Sequence, residues 1–169
     1  KKAIEDCLQI SIDNFPKLEG DTICLSDNSG SAWGAFNSEY GSVTVADIAN
    51  LSSVITAYNC TGKGYVGVFG DKLEMIEIDK TKPILEQHAF VTKIGKTVGG
   101  GTENGIWLFF DQSLKNKTVY NNIFVYSDMQ CGHGDLYGCN SAKYKEYAIN
   151  NRYIDVMKLL SEYRKKIYS

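Results

Sequence analysis

An α/β fold of Rossmann-like type, with a mostly parallel central sheet flanked by helices, is what this sequence predicts, and three observations predict it. Residues 21–26, 65–69 and 122–127 are short and almost wholly apolar, as strands covered on both faces are. Stretches with three- and four-residue apolar spacing stand between them. Polar, glycine-rich breaks follow the apolar runs directly, where an open α/β sheet presents its ligand-binding edge.

In order along the chain, residues 2–13 place Ile4, Leu8 and Ile12 four apart and predict an amphipathic helix ending before Phe15-Pro16. The first strand, 21–26, is broken by the Gly/Ser-rich stretch 27–34. Residues 45–59 follow helical spacing, with Thr44 as cap and Gly62 as stop. The second strand, 65–69, closes at Gly70-Asp71, and 73–78 alternates like a half-exposed edge strand in a hairpin with it. Residues 91–94 are ambiguous. Gly99-Gly100-Gly101-Thr102 feeds a helix at about 103–115, with Ile106, Phe109, Phe110 and Leu114 on one face. The third strand, 122–127, ends at Asp128, and a Gly-rich insertion follows at 131–138. Ile154, Met157, Leu160, Tyr163 and Ile167 mark a last helix over 153–168. This alternation implies parallel strands joined by helices on both faces.

The 169 residues suit one compact domain, with 43% apolar and 22% charged residues. A net charge of -2 gives no general electrostatic reason to bind nucleic acid. No apolar run reaches the roughly 18 residues that span a bilayer, so no membrane partner is expected. No secretory signal is visible, and five scattered cysteines, an odd number, read as reduced thiols in a cytoplasmic protein.

Chemistry concentrates in three loops. In Asp27-Asn28-Ser29-Gly30-Ser31, residues two apart in an extended turn point the same way, so Asp27, Ser29 and Ser31 converge. Thr102 from the glycine loop adds a third hydroxyl, and Asp128 at the end of a neighbouring strand a second carboxylate. These are hard oxygen ligands, right for Mg²⁺, Mn²⁺ or Ca²⁺ and poor for zinc. Mg²⁺ fits best, because it keeps waters that an acidic group from a protein partner can displace. The rival reading of each loop alone is a turn or a helix cap with ordinary capping hydroxyls.

The Asp27-x-Ser29-x-Ser31 loop, Gly100-Gly101-Thr102 and strand-terminal Ser127-Asp128 together resemble the metal-ion-dependent adhesion site of von Willebrand factor A domains. More narrowly, the chain is similar to the A domain of Ro/TROVE ribonucleoprotein proteins over roughly residues 3–169, including a last helix that carries Glu162-Tyr163-Arg164-Lys165-Lys166. The resemblance implies a metal-dependent protein-binding module within an RNA-associated protein, its RNA-binding part lying outside this sequence. It also implies two further strands and a helix after the last helix here, so the sheet is expected to lack its last strands and strand 122–127 to be an edge. The position after Ser31, often Met in that superfamily, is Ala32, followed by Trp33, which either contacts a partner or packs under the loop.

Other constellations are weaker. Cys131, His133 and Cys139, with Asp135 nearby, offer three good zinc ligands at a spacing that matches no common structural site. Cys131 and His133 are too loosely tied to act as a nucleophile pair. His88 reads as a surface residue. An Mg²⁺-dependent phosphoryl-transfer hydrolase needs a second acidic residue where Ser29 stands and a lysine in the site loops, so a non-enzymatic binding role is expected. A purely structural domain is the third alternative.

Overall fold

The computed structural model describes residues 2–38, 41–101, 105–128, 148–149 and 153–168. Four strands form the main sheet: β1 (Thr22–Asp27), β4 (Gly64–Phe69), β5 (Leu73–Glu77) and β6 (Asn122–Tyr126), in the order β5-β4-β1-β6. β1 runs parallel to both β4 and β6, with Thr22 level with Gly64 on one side and Asn122 on the other. β5 returns antiparallel to β4 as the predicted hairpin, Tyr65 facing Glu77. The sheet is therefore mostly parallel, and helices cover both of its faces.

Alternation along β1 divides the interior into two cores. Ile23 and Leu25 join Phe69 against α4 (Gly105–Asn116) and α5 (Val156–Ile167), in a core rich in Phe and Tyr. Cys24 joins Val66, Val68 and Ile76 on the other face, covered by α1 (Lys2–Asp13), α2 (Val45–Tyr58) and α3 (Ile84–Gly95). All six β1 residues are buried, as an apolar run flanked by two parallel neighbours requires. Burial pushes the Cys24 thiol far up, with Cys60 nearby adding to the effect, so it packs as a small apolar group. Cys7, Cys24 and Cys60 are unpaired thiols.

Helix α2 starts on the predicted cap. The Thr44 hydroxyl accepts from the Asp47 N–H at 3.0 Å, and the Asp47 carboxylate reaches back to the Thr44 N–H, a capping box. Residues 91–94 belong to α3, whose buried positions are Ile84, Gln87, Val91 and Gly95. Two of those four carry no apolar side chain, which hides the helical stripe from a reading based on hydrophobic periodicity. Two short hairpins also escaped it: β2 (Ala35–Ser38) with β3 (Gly41–Thr44), and β7 (Ala148–Ile149) with β8 (Tyr153–Ile154). The last helix accordingly begins at Val156, three residues later than its apolar spacing suggests.

Strand β6 is an edge of the sheet among the described residues, and its Val125 is exposed although the strand reads Ile-Phe-Val-Tyr. His88 is half-buried, its Nε2 shut off from solvent without a hydrogen-bond partner among the described residues. Among the described residues no helix is long and apolar enough to cross a membrane.

Candidate functional site

The parallel strands β1, β4 and β6 all deliver polar residues to their C-terminal edge: Asp27 from β1, Gly70-Asp71 after β4, and Ser127-Asp128 after β6. Asp27 ends a fully buried strand and is itself fully buried. One of its carboxylate oxygens accepts the Ser29 N–H at 3.0 Å, and the other accepts the Ser127 hydroxyl at 2.7 Å. No lysine, arginine or histidine pairs with it among the described residues. A carboxylate shut away from water with two neutral donors and no cation is a costly arrangement.

The two serines converge as the alternation predicts. Ser29 Oγ and Ser31 Oγ stand 3.2 Å apart, Ser29 buried and Ser31 exposed. Neighbouring ligands of an octahedral ion bonded at 2.0–2.1 Å stand about 2.9 Å apart, so the hydroxyl pair has close to the spacing that Mg²⁺ requires. Asp128 is half-buried beside Ser127.

Thr102 lies outside the described residues, but the path toward it is fixed as far as Gly101. The Gly30 N–H donates to the Gly100 carbonyl at 2.9 Å, tying the serine loop to the glycine loop. Asp71 accepts the Gly100 and Gly101 N–H groups at 3.1 and 3.0 Å. Gly99 takes φ +91°, and a Cβ there would stand 2.1 Å from the Asp71 carboxylate, so the loop needs glycine at this position.

A buried polar seam holds the serine loop from below. Asn28 and Asn50 of α2 form a reciprocal carboxamide pair, with bonds of 2.9 and 3.0 Å. The Ser26 hydroxyl donates to Asn50 Oδ1 at 2.7 Å, and Asn50 Nδ2 also reaches Thr92 of α3. Gly95 of α3 leaves room for this seam, because a Cβ there would fall 2.1 Å from Asn28 Oδ1. The side chains of Asp27 and Asn28 thus part, one serving the edge and the other the scaffold. Asn50 and Asp71 were not among the residues that sequence reasoning assigned to the site, and Asn28 and Ser127 stood within its motifs without a role of their own. The available signal was polar residues on the otherwise apolar, buried face of α2, where Asn50 and Ser53 sit.

Trp33 packs onto the loop. Its backbone N–H donates to the Ser29 carbonyl at 3.2 Å and its indole N–H to the Asn28 carbonyl at 3.0 Å. Lys96 Nζ lies 5.4 Å from the centre of its ring, a cation–π contact. The Ala32 carbonyl accepts the Ala46 N–H at 2.8 Å, which docks the start of α2 on the same loop.

Among the described residues no three His, Cys, Asp or Glu side chains gather as a metal site. A cation at this edge would therefore rely on hydroxyls to complete two carboxylates, the chemistry of a hard ion. Cys131, His133, Asp135 and Cys139 lie outside the described residues. No protein-family model matches the chain, and no curated protein is significantly similar to it.

Proposed function

We propose that this chain is a von Willebrand A-type binding module that holds one Mg²⁺-like cation at the C-terminal edge of its sheet and uses it to capture an acidic group of a protein partner. Asp27, Ser29, Ser31, Thr102 and Asp128 are the ligands in this reading, directly or through water. Mg²⁺ is the favoured ion, with Mn²⁺ or Ca²⁺ able to replace it. The observation that carries the reading is Asp27: a fully buried carboxylate without a cationic side chain, set among hydroxyls spaced for an octahedral ion. A dication there offsets the burial of the charge and leaves coordination positions for water and one outside ligand. The partner's carboxylate would take one of them.

The narrower reading places the module in a cytoplasmic, Ro-like ribonucleoprotein, with RNA contacts made outside this sequence. Its supports are the sequence motifs and the unpaired buried thiols Cys24 and Cys60. Calorimetric titration with Mn²⁺ tests the metal reading. One ion per chain is expected for the wild type and none at the same affinity for Asp27→Ala. Equal binding by both proteins would falsify it.

A further inference from the structure

Helix α1 leaves most of its surface uncovered. Ile12 is its one buried residue among those described, and Ile4 and Ile10 are 61% and 63% exposed. A groove of about 700 Å³ runs between the first half of α1 and the start of α3, and its apolar lining is Pro83, Leu85 and Ala89. Phe90, on the same face of α3 as Glu86 four residues before it, is 53% exposed. Exposed apolar side chains gathered along one groove mark an interaction surface.

Charge narrows the partner. Glu5, Asp6 and Glu86 line the groove against Lys2 alone. Glu5 is committed within the fold, where it accepts the Leu85 N–H at 3.2 Å. Asp6 and Glu86 are exposed and form no ion pair among the described residues. The acidity reaches past the groove: burial first, and then the carboxylates of Asp13, Glu5 and Asp79, push the Tyr58 phenol up. An apolar strip edged by unpaired carboxylates complements a surface that carries apolar and cationic side chains together, and it repels an anionic one.

The walls narrow the shape. Both are helices, whose interior backbone groups are bonded along their own length, so an added strand finds no ladder to join. Side-chain packing is what the groove offers, and a helix lays its side-chain ridges into such a groove.

We propose that the groove between α1 and α3 docks a cationic amphipathic helix of a partner protein, its apolar stripe on Leu85, Ala89 and Phe90 and its lysine or arginine side chains beside Asp6 and Glu86. The surface is independent of the metal reading. Fluorescence anisotropy on the full chain tests it with two labelled helical peptides that share one leucine stripe, one with lysine and one with glutamate at the polar positions. At physiological salt the lysine peptide should bind saturably, and the glutamate peptide at least about tenfold more weakly. Glu86→Lys and Ala89→Lys, both at exposed positions, should each weaken the lysine peptide about tenfold, the loss of one favourable contact of about 1.4 kcal/mol. Glu74→Lys, the same change of charge as Glu86→Lys but on exposed β5, should leave its affinity unchanged. No saturable binding, equal binding of the two peptides, or a loss with Glu74→Lys as large as with Glu86→Lys overturns the proposal. Self-association of the chain that Ala89→Lys abolishes also overturns it, by giving the groove to a second copy.

Discussion

The two faces of the sheet are packed by different chemistry. On the α4–α5 side the core is aromatic: Phe109 and Phe110 meet at 5.1 Å, Phe109 and Tyr120 at 5.6 Å, and Phe110 and Tyr163 at 5.5 Å. On the α1–α3 side the core is aliphatic, and the polar seam of Ser26, Asn28, Asn50 and Thr92 runs through it beneath the serine loop. Apolar contact is non-directional and strong in sum, so the aromatic face fixes the layers. Hydrogen bonds between carboxamides are directional, so the seam fixes the orientation of one loop. Stability and site geometry are thereby lodged on opposite faces.

The largest effect should come from the aromatic face. Phe109→Ala is expected to cost roughly 3–5 kcal/mol in urea unfolding, while the molecules that remain folded bind Mn²⁺ as the wild type does. On the seam, Asn50→Ala leaves the Asn28 carboxamide and the Ser26 hydroxyl short of partners and should cost about 2–3 kcal/mol. Unlike Phe109→Ala, it should also weaken Mn²⁺ binding. If both variants weaken the metal equally, the division of labour between the faces is wrong.

Alkaline pH probes the aromatic face through Tyr120. Burial, helped by neighbouring Tyr65 and Tyr163, holds Tyr120 up to about 12, above the value near 10 of an unfolded tyrosine. The folded chain then keeps a proton that the unfolded chain releases, so this stabilisation is full below pH about 10 and is lost from about 10 to 12. Unfolding midpoints across that interval should fall less steeply for Tyr120→Phe. The seam residues Ser26, Asn28, Asn50 and Thr92 carry no group that titrates there. The smallest effect is expected at Lys96: replacing it with Gln removes the contact over Trp33, should cost no more than about 1 kcal/mol, and should leave Mn²⁺ affinity unchanged.

The same contrast explains what could be read from the chain alone. Strands β1 and β4 announce themselves because burial on both faces demands apolar runs, and α2 because its apolar residues keep helical spacing behind the cap Thr44. The aromatic face was legible for the same reason, through Ile106, Phe109 and Phe110 in one stripe. Helix α3 was not, since Gln87 and Gly95 occupy core positions that periodicity expects to be apolar. At the candidate site, Asp27, Ser29 and Ser31 were legible because two-residue spacing makes them converge. The Asn50 contact and the role of Ser127 were not, because they depend on tertiary placement: Asn50 reaches Asn28 from the covering helix, 22 residues along the chain, and Ser127 reaches Asp27 across the β1–β6 pairing, 100 residues along it.

The buried Asp27 carboxylate is the centre of the account, and melting midpoints of the wild type and Asp27→Asn across a Mg²⁺ series test it most directly. Without Mg²⁺ the neutral carboxamide should be at least as stable as the wild type, since it removes an acidic group buried without a cation. With rising Mg²⁺ the wild-type midpoint should climb past that of the variant, which stays flat, because only the wild type binds the ion in its folded state. Parallel responses of the two proteins to Mg²⁺, or no response from the wild type, would contradict the assignment of this edge as a metal site.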